Sequence, residues 1–239
     1  GDGGELAAEQ RLLLPAALLG SLRVAVLSRR HADPAAPVEH ERQAAGGEEL
    51  RGEPRRERHV VGGRLPVARV DGHEVVDVAA HNIKVLSREG ELRRILGRRG
   101  EGPGEFNFPC DVSADEKSVW IADTGNHRVQ AITRTGEPVI AFGQAGDAPG
   151  DLALPKGIAL DPDGHVYVVD GRFENVQIFD RLGRLLLFFG DEGAKEGEFW
   201  LPGGIFIEPS GRIWVCDSYN RRVQVFDYIR ELPTAAGAE

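Results

Sequence analysis

Methionine is absent from the 239 residues, tryptophan occurs three times and cysteine twice. Without a methionine to begin it, the chain reads as a processed, trimmed or partial product. Two cysteines, Cys110 and Cys216, cannot support a disulfide-rich scaffold. No CxxCH motif is present, so the chain attaches no c-type haem of its own, and two buried free thiols are expected. Aromatic residues are missing from the whole first part of the chain: the first is Phe106. Lysine is confined to Lys84, Lys117, Lys156 and Lys195, leaving arginine as the main cation. Long apolar runs are lacking too. The best, LLLPAALLGSL at 12–22, is too short to cross a bilayer. The acidic residues Asp2, Glu5 and Glu9 before it have the wrong sign for a signal peptide.

A basic excess is also absent. Net charge is −9, of which −8 falls from Arg64 onward and −1 before it. Phosphate neutralisation needs a basic face, so nucleic acid is excluded as the expected partner. Catalytic motifs are missing as well: the sequence contains no HExxH, no Cys/His cluster, no GxSxG elbow, no P-loop and no dinucleotide glycine fingerprint. GEGPGEF and GAKEGEF look like phosphate loops, but acids flank them and a strand rather than a helix follows. His127 and His165 fall at non-equivalent places, with His73 and His81 elsewhere, and are read as surface histidines. No catalytic residue, metal or cofactor is assigned.

What the chain does contain is a repeat. Three segments beginning at Gly97, Gly143 and Gly190 say nearly the same thing, at spacings of 46 and 47 residues. Pro109, Pro155 and Pro202 keep those spacings, and Asp123, Asp170 and Asp217 are spaced by 47 and 47. Within one segment, GIAL, HVYVVD, NVQIFD and LLLFFG are short runs of branched and aromatic residues separated by turn signals. Each repeat is therefore a four-stranded antiparallel meander. In DPDG at 161–164, Pro162 presets φ and Gly164 supplies the left-handed residue; Gly136 and Gly183 turn the third strand into the fourth. The runs are too apolar for a sheet wet on one face, and a period of this length built of strands and turns signals propeller blades.

These residues resemble the NHL-repeat β-propellers. The carriers are Pro155-x-Gly157-Ile158-Ala159, the run DGHVYVVD at 163–170, DTGNHRVQ at 123–130 and DSYNRRVQVF at 217–226. The resemblance covers roughly residues 64 to 232. It departs in the middle repeat, where Phe173 and Asn175 replace the pairs Asn126/Arg128 and Asn220/Arg222. An earlier copy at 67–97 keeps Asp77, Gly90 and Gly97, is shortened near its start, carries Ala80 and Asn82 at the same two positions, and counts as a degenerate fourth repeat. The fold class is thus all-β: a β-propeller of four-stranded antiparallel blades with about four repeats visible, where the family usually has six. Residues 1–63 form an irregular N-terminal segment and 64–239 the propeller domain. Residues 28–58, rich in Arg, Glu, Ala, Gly and Pro, read as linker, long loop or disorder.

The repeat markers Asp77, Asp123, Asp170 and Asp217 admit two readings. A ring of carboxylates suits Ca²⁺. Asp before a turn also bonds its own backbone, and Arg128 and Arg222 are placed to pair with it. The structural reading is the expectation. Candidates for contact with a ligand are the aromatics of the connectors and loop ends: Phe106, Phe108, Phe173, Phe199, Trp200 and Tyr219, the alternative being that half or more of them plug between blades. The resemblance implies a non-enzymatic scaffold that presents loops to another protein. Bacterial proteins of this appearance are often exported and found with multihaem c-type cytochromes, which implies such a partner and an extracytoplasmic location. The resemblance also reaches propeller enzymes of the lyase and lactonase kind, which hold a metal in the central channel. Finally, the last repeat lacks a fourth strand. SLRVAVLS at 21–28 alternates as a short strand, the alternative being a helix continuing from Leu12 against Pro15 and Gly20. Residues 22–27 are expected to dock antiparallel beside residues 222–228 and complete that blade.

Overall fold

The computed structural model describes residues 22–25 and 73–230, with side chains from 73 to 227. Most of the apolar run at 12–22, the irregular stretch at 28–58 and the start of the degenerate repeat lie outside the described residues. Strand β1 (Leu22–Ala25) comes first in the chain and joins the last sheet. Blade I is β2 (His73–Asp77), β3 (Asn82–Leu86) and β4 (Leu92–Leu96). A two-residue ladder, β5 (Arg98–Arg99) with β6 (Glu105–Phe106), folds the connector. Blade II is β7 (Asp111–Ala114), β8 (Ser118–Asp123), β9 (Arg128–Thr133) and β10 (Pro138–Phe142). Blade III is β11 (Pro155–Leu160), β12 (Val166–Asp170), β13 (Asn175–Phe179) and β14 (Leu185–Phe189). The next connector folds through β15 (Asp191–Glu192) and β16 (Glu198–Phe199). Blade IV is β17 (Ile205–Ile207), β18 (Ile213–Asp217) and β19 (Arg222–Arg230), with β1 outside them. The all-β propeller architecture expected from the repeat is therefore present.

Each blade is a meander because each break carries the turn chemistry it needs. The Gly164 N–H donates to the Asp161 carbonyl, and Gly164 sits at φ +88°, where a side chain is disfavoured. Blades stack face to face, which is why β8 and β12 are buried along their whole length rather than alternating. Three apolar layers lie between successive blades. Ile83 and Leu96 meet Phe106, Val119 and Ile121; Trp120, Ala122 and Val129 meet Leu152, Ile158 and Phe179; Val169, Val176 and Phe189 meet Phe199, Val215 and Phe226. Each fully buried ring in these layers contributes on the order of 2–3 kcal/mol. The inner strands run side by side, β7 along β11 and β11 along β17. There the backbones approach closely: a Cβ on Gly157 would stand 2.5 Å from the Gly203 carbonyl oxygen.

Three expectations need correction. Cys110, just ahead of β7, and Cys216, on β18, are exposed, not buried; among the described residues no further blade lies over Cys216 as blade IV lies over its counterpart Val169. Val223, which the repeat places like Val176 between or within sheets, is 47% exposed. Strand β1 does pair antiparallel with β19, but against Asp227–Arg230, with Leu22 opposite Arg230 and Ala25 opposite Asp227. It was expected beside residues 222–228. In blades II and III the outer strand reaches Val129 and Val176, the counterparts of Val223. Among the described residues, 223–226 has no outer partner.

Candidate functional site

Antiparallel pairing sends the marker aspartates, the connectors and the turns from second to third strand to one end of the propeller. The DPDG-type turns and the turns at Gly136 and Gly183 lie at the other end. The marker aspartates hold the connector end together. Asp123, Asp170 and Asp217 are fully buried. Asp123 accepts the Asn107 backbone N–H at 2.7 Å, Arg128 Nε at 2.8 Å, Asn126 Nδ2 at 2.9 Å and Gln130 Nε2 at 3.1 Å. Asp217 repeats this with Trp200 N–H, Arg222 Nε, Asn220 Nδ2 and Gln224 Nε2. Blade III lacks the Asn and Arg, and Asp170 is satisfied by backbone instead: the N–H groups of Ala153, Leu154, Arg172 and Phe173. In blade I, Asp77 accepts Ala80 N–H and, at 2.5 Å, Lys84 Nζ. The Lys84 bond, with the Ala80 N–H, holds the Asp77 carboxyl below its usual value. Arg128 and Arg222 also cap connector carbonyls, Gly102 and Glu105 in one case and Ala194 and Glu198 in the other.

The six aromatic candidates divide. Phe106 and Phe199 have no exposed surface at all, which corrects their placement among contact residues. Each ring fills the space above a marker glycine: a Cβ on Gly97 would lie 2.2 Å from the Phe106 ring, and one on Gly190 would lie 2.4 Å from the Phe199 ring. Leu152 stands in the same relation to Gly143. A glycine nine residues before a large apolar side chain is thus a packing pair, and the sequence carried that signal. Phe173 is half-buried. Phe108, Trp200 and Tyr219 are 49%, 51% and 60% exposed, all at the connector end. The Trp200 and Tyr219 rings lie 5.6 Å apart at 44°, in a contact that keeps both open to solvent. The Tyr219 N–H donates to the Trp200 carbonyl, so two backbones lock the pair. The corresponding positions of blade II are Asn107 and Gly125, joined by the same N–H to carbonyl bond, so only the side chains set blade IV apart.

Four residues stand out that sequence reading missed as a set. His81, His127, Glu174 and Arg221 each lie four residues after a marker aspartate, at φ between 53° and 55°. His81 is buried, which corrects its reading as a surface histidine; its Nδ1 accepts the Phe108 N–H at 3.0 Å. His127 Nδ1 donates to the Ala153 carbonyl at 2.8 Å. Glu174 accepts the Leu201 N–H. Burial pushes the Glu174 carboxyl above its usual range, and the nearby carboxylates of Glu192, Asp217 and Asp170 add to that.

Among the described residues one trio has metal-ligand chemistry: Asp161, Asp163 and His165, whose ligand atoms lie within 4.8 Å of one another. It sits in the DPDG turn that joins inner strand β11 to β12, at the end opposite the aromatic pair. Asp161 is occupied there by the turn itself, accepting Asp163 N–H, His165 N–H and His165 Nδ1. Asp115 does the same in the corresponding turn of blade II, accepting Lys117 and Ser118 N–H. Among the described residues no helix is long and apolar enough to cross a membrane.

Comparison with known proteins agrees with this plan. No curated protein matches the chain. Among solved structures, a protein of unknown function from Bacteroides thetaiotaomicron superposes with TM-score 0.51 at 20% identity, over 65% of this chain and 44% of that one. Virginiamycin B lyase from Staphylococcus aureus follows at TM-score 0.46 and 15% identity, over 64% of this chain and 50% of that one. The WD40 β-propeller domain of Doa1 gives 0.43 and 15%, over 62% and 44%. The chain spans half or less of the length of these structures, and at 20% identity the likeness to the first concerns fold alone. The family model described as the NHL repeat matches residues 106–132, 152–179 and 199–226, so the chain carries three NHL repeats within a β-propeller.

Proposed function

We propose that the chain is a non-enzymatic scaffold that binds another protein through its connector end. The observation that carries this reading is the exposed Trp200–Tyr219 pair, with Phe108 on the same end. Rigid aromatic side chains held half-open by backbone bonds are what protein interfaces concentrate. The net negative charge of the repeat region favours a partner with a basic face. The family resemblance suggests a multihaem c-type cytochrome as that partner, outside the cytoplasm. Tryptophan emission tests both parts. Trp120 is buried and Trp214 half-buried, so Trp200 is the residue that a docked haem protein would quench first. Titration of the protein with such a cytochrome should give saturable quenching, and Tyr219→Ala should weaken binding by about tenfold. Unchanged affinity in both Trp200→Ala and Tyr219→Ala would reject the aromatic site. Binding to a haem-free basic protein with equal affinity would reject the cytochrome.

A further inference from the structure

Arginine held between a tryptophan ring and a carboxylate is chemistry that this chain already uses. At the end of the propeller with the DPDG-type turns, the Arg181 guanidinium lies 5.2 Å from the centre of the Trp120 ring. Its Nη2 donates to Asp115 Oδ2 at 2.5 Å. The ring face attracts the cation and the carboxylate fixes its donors, so the planar group is held from two sides. At the connector end the ring and the carboxylates recur, and the arginine does not. Trp200 and Tyr219 are open to solvent, and among the described residues no cation lies over either ring.

The acids stand on both sides of Trp200. Glu192 is the ladder partner of Phe199, the residue before Trp200, and is exposed with no ion pair among the described residues. The Glu174 carboxylate accepts the N–H of Leu201, the residue after Trp200. Burial raises the Glu174 carboxyl, and the charge of Glu192 adds to the rise, so a cation brought here relieves crowded negative charge. Of the cations nearby, Arg222 pairs with Asp217 and Lys195 with Glu198, while Arg172 and Arg221 are exposed on the flanking turns.

The repeat supplies its own control. The connector from blade III to blade IV has Glu174, Glu192, Trp200 and Tyr219; the one from blade I to blade II has His81, Arg99, Asn107 and Gly125 at the same four places. The connector between them has His127, Ala145, Ala153 and Arg172. Acids and aromatic rings therefore arrive together, in one connector of the three. Asn107 and Gly125 keep the N–H to carbonyl bond that joins Tyr219 to Trp200, so the backbone needs neither rings nor acids there. Exposure at this spot is also independent of what lies beyond blade IV. Arg172 holds the place of Tyr219 in blade III, which blade IV covers, and it is exposed as well.

We propose that Trp200 and Tyr219 form the seat for an arginine side chain of the partner protein, stacked on the aromatic pair with Glu174 and Glu192 as its carboxylate acceptors. The inference rests on the reading of the connector end as a protein-docking surface and names the group that docks. Arginine is favoured over lysine because a planar guanidinium stacks on a ring and still donates in its plane to a carboxylate, as Arg181 does.

The probe is a short acetylated peptide with two arginines separated by glycine, set against the same peptide with lysine or with citrulline, which keeps the shape and loses the charge. The indole N–H resonance of Trp200, identified by its loss in Trp200→Phe, reports binding. The arginine peptide should shift it saturably, with citrulline about tenfold weaker or more and lysine in between. Glu192→Gln and Glu174→Gln should each weaken the arginine peptide by about three- to tenfold and leave the citrulline peptide unchanged. Glu192 is exposed, and glutamine at 174 keeps an acceptor for the Leu201 N–H, so both variants should melt like the parent. Equal binding of the arginine and citrulline peptides, no shift with either, or unchanged affinity in both glutamine variants overturns the seat. Lysine binding as tightly as arginine overturns the assignment to arginine. A basic protein that docks through Trp200 while the peptides show no charge preference overturns this inference and leaves the docking surface standing. An arginine-specific shift without quenching by the cytochrome upholds the seat and rejects that partner.

Discussion

Asp111 offers the sharpest test of how the inner strands are packed. It stands where the following repeats have Gly157 and Gly204, and its carboxylate is pressed against strand β11. Oδ2 accepts the Ile158 N–H at 3.0 Å and Oδ1 the Val112 N–H at 2.8 Å. Burial pushes its carboxyl up from 3.8 to about 6, with those two N–H groups opposing the rise. A raised value means that the folded protein holds this proton more tightly than the unfolded chain does. The contribution of Asp111 therefore favours folding most below its unfolded value, and is lost as pH rises through about 6. The shift corresponds to roughly 3 kcal/mol. This is an upper bound, because Asp111 keeps some solvent contact. Other carboxyls act in the opposite direction: Glu105, held down chiefly by Arg98, stabilises the fold above its ordinary range and loses that on acidification. The difference between the parent and Asp111→Asn isolates the one group. Urea denaturation from about pH 4 to about pH 7.5 should show the parent losing about 1–3 kcal/mol relative to Asp111→Asn. Asn retains only one acceptor, which adds an offset independent of pH. Two parallel pH profiles would refute the packing of Asp111 between the inner strands.

Two further outcomes follow from the connector end. Asp170→Ala strands the N–H groups of Ala153, Leu154, Arg172 and Phe173 and should cost about 2–4 kcal/mol in chemical denaturation, with Asp170→Asn recovering part of it; a loss below about 1 kcal/mol would show that water replaces the carboxylate. Gly190→Ala places a methyl group against the Phe199 ring at φ +97° and should cost more than about 2 kcal/mol, while the double variant with Phe199→Leu should lose less than the two single changes combined.

The repeat, the turns and the strands were legible in the chain because their causes are local. Gly164 turns where DPDG lies, and VYVV is apolar throughout because a blade is covered on both faces. The identical spacing of Asp123, Asp170 and Asp217 signals one structural role, and the neighbouring Asn, Arg and Gln that satisfy Asp123 and Asp217 lie within seven residues. Tertiary structure alone decided what depends on the next blade. Phe106 and Trp200 both belong to glycine-rich, charged connectors, yet one ring is sealed above Gly97 and the other stands in solvent beside Tyr219. Val176 and Val223 are the same residue at the same place in the repeat; one is buried because blade IV lies over it, the other exposed because nothing described does. Asp170 shows the limit most clearly. Its Asn and Arg partners are missing from the sequence, and the donors that replace them are the N–H groups of Arg172 and Phe173 in its own turn together with those of Ala153 and Leu154, brought in from the preceding connector. Alternation and turn chemistry act over a few residues, whereas burial is set by a neighbour nearly a whole repeat away.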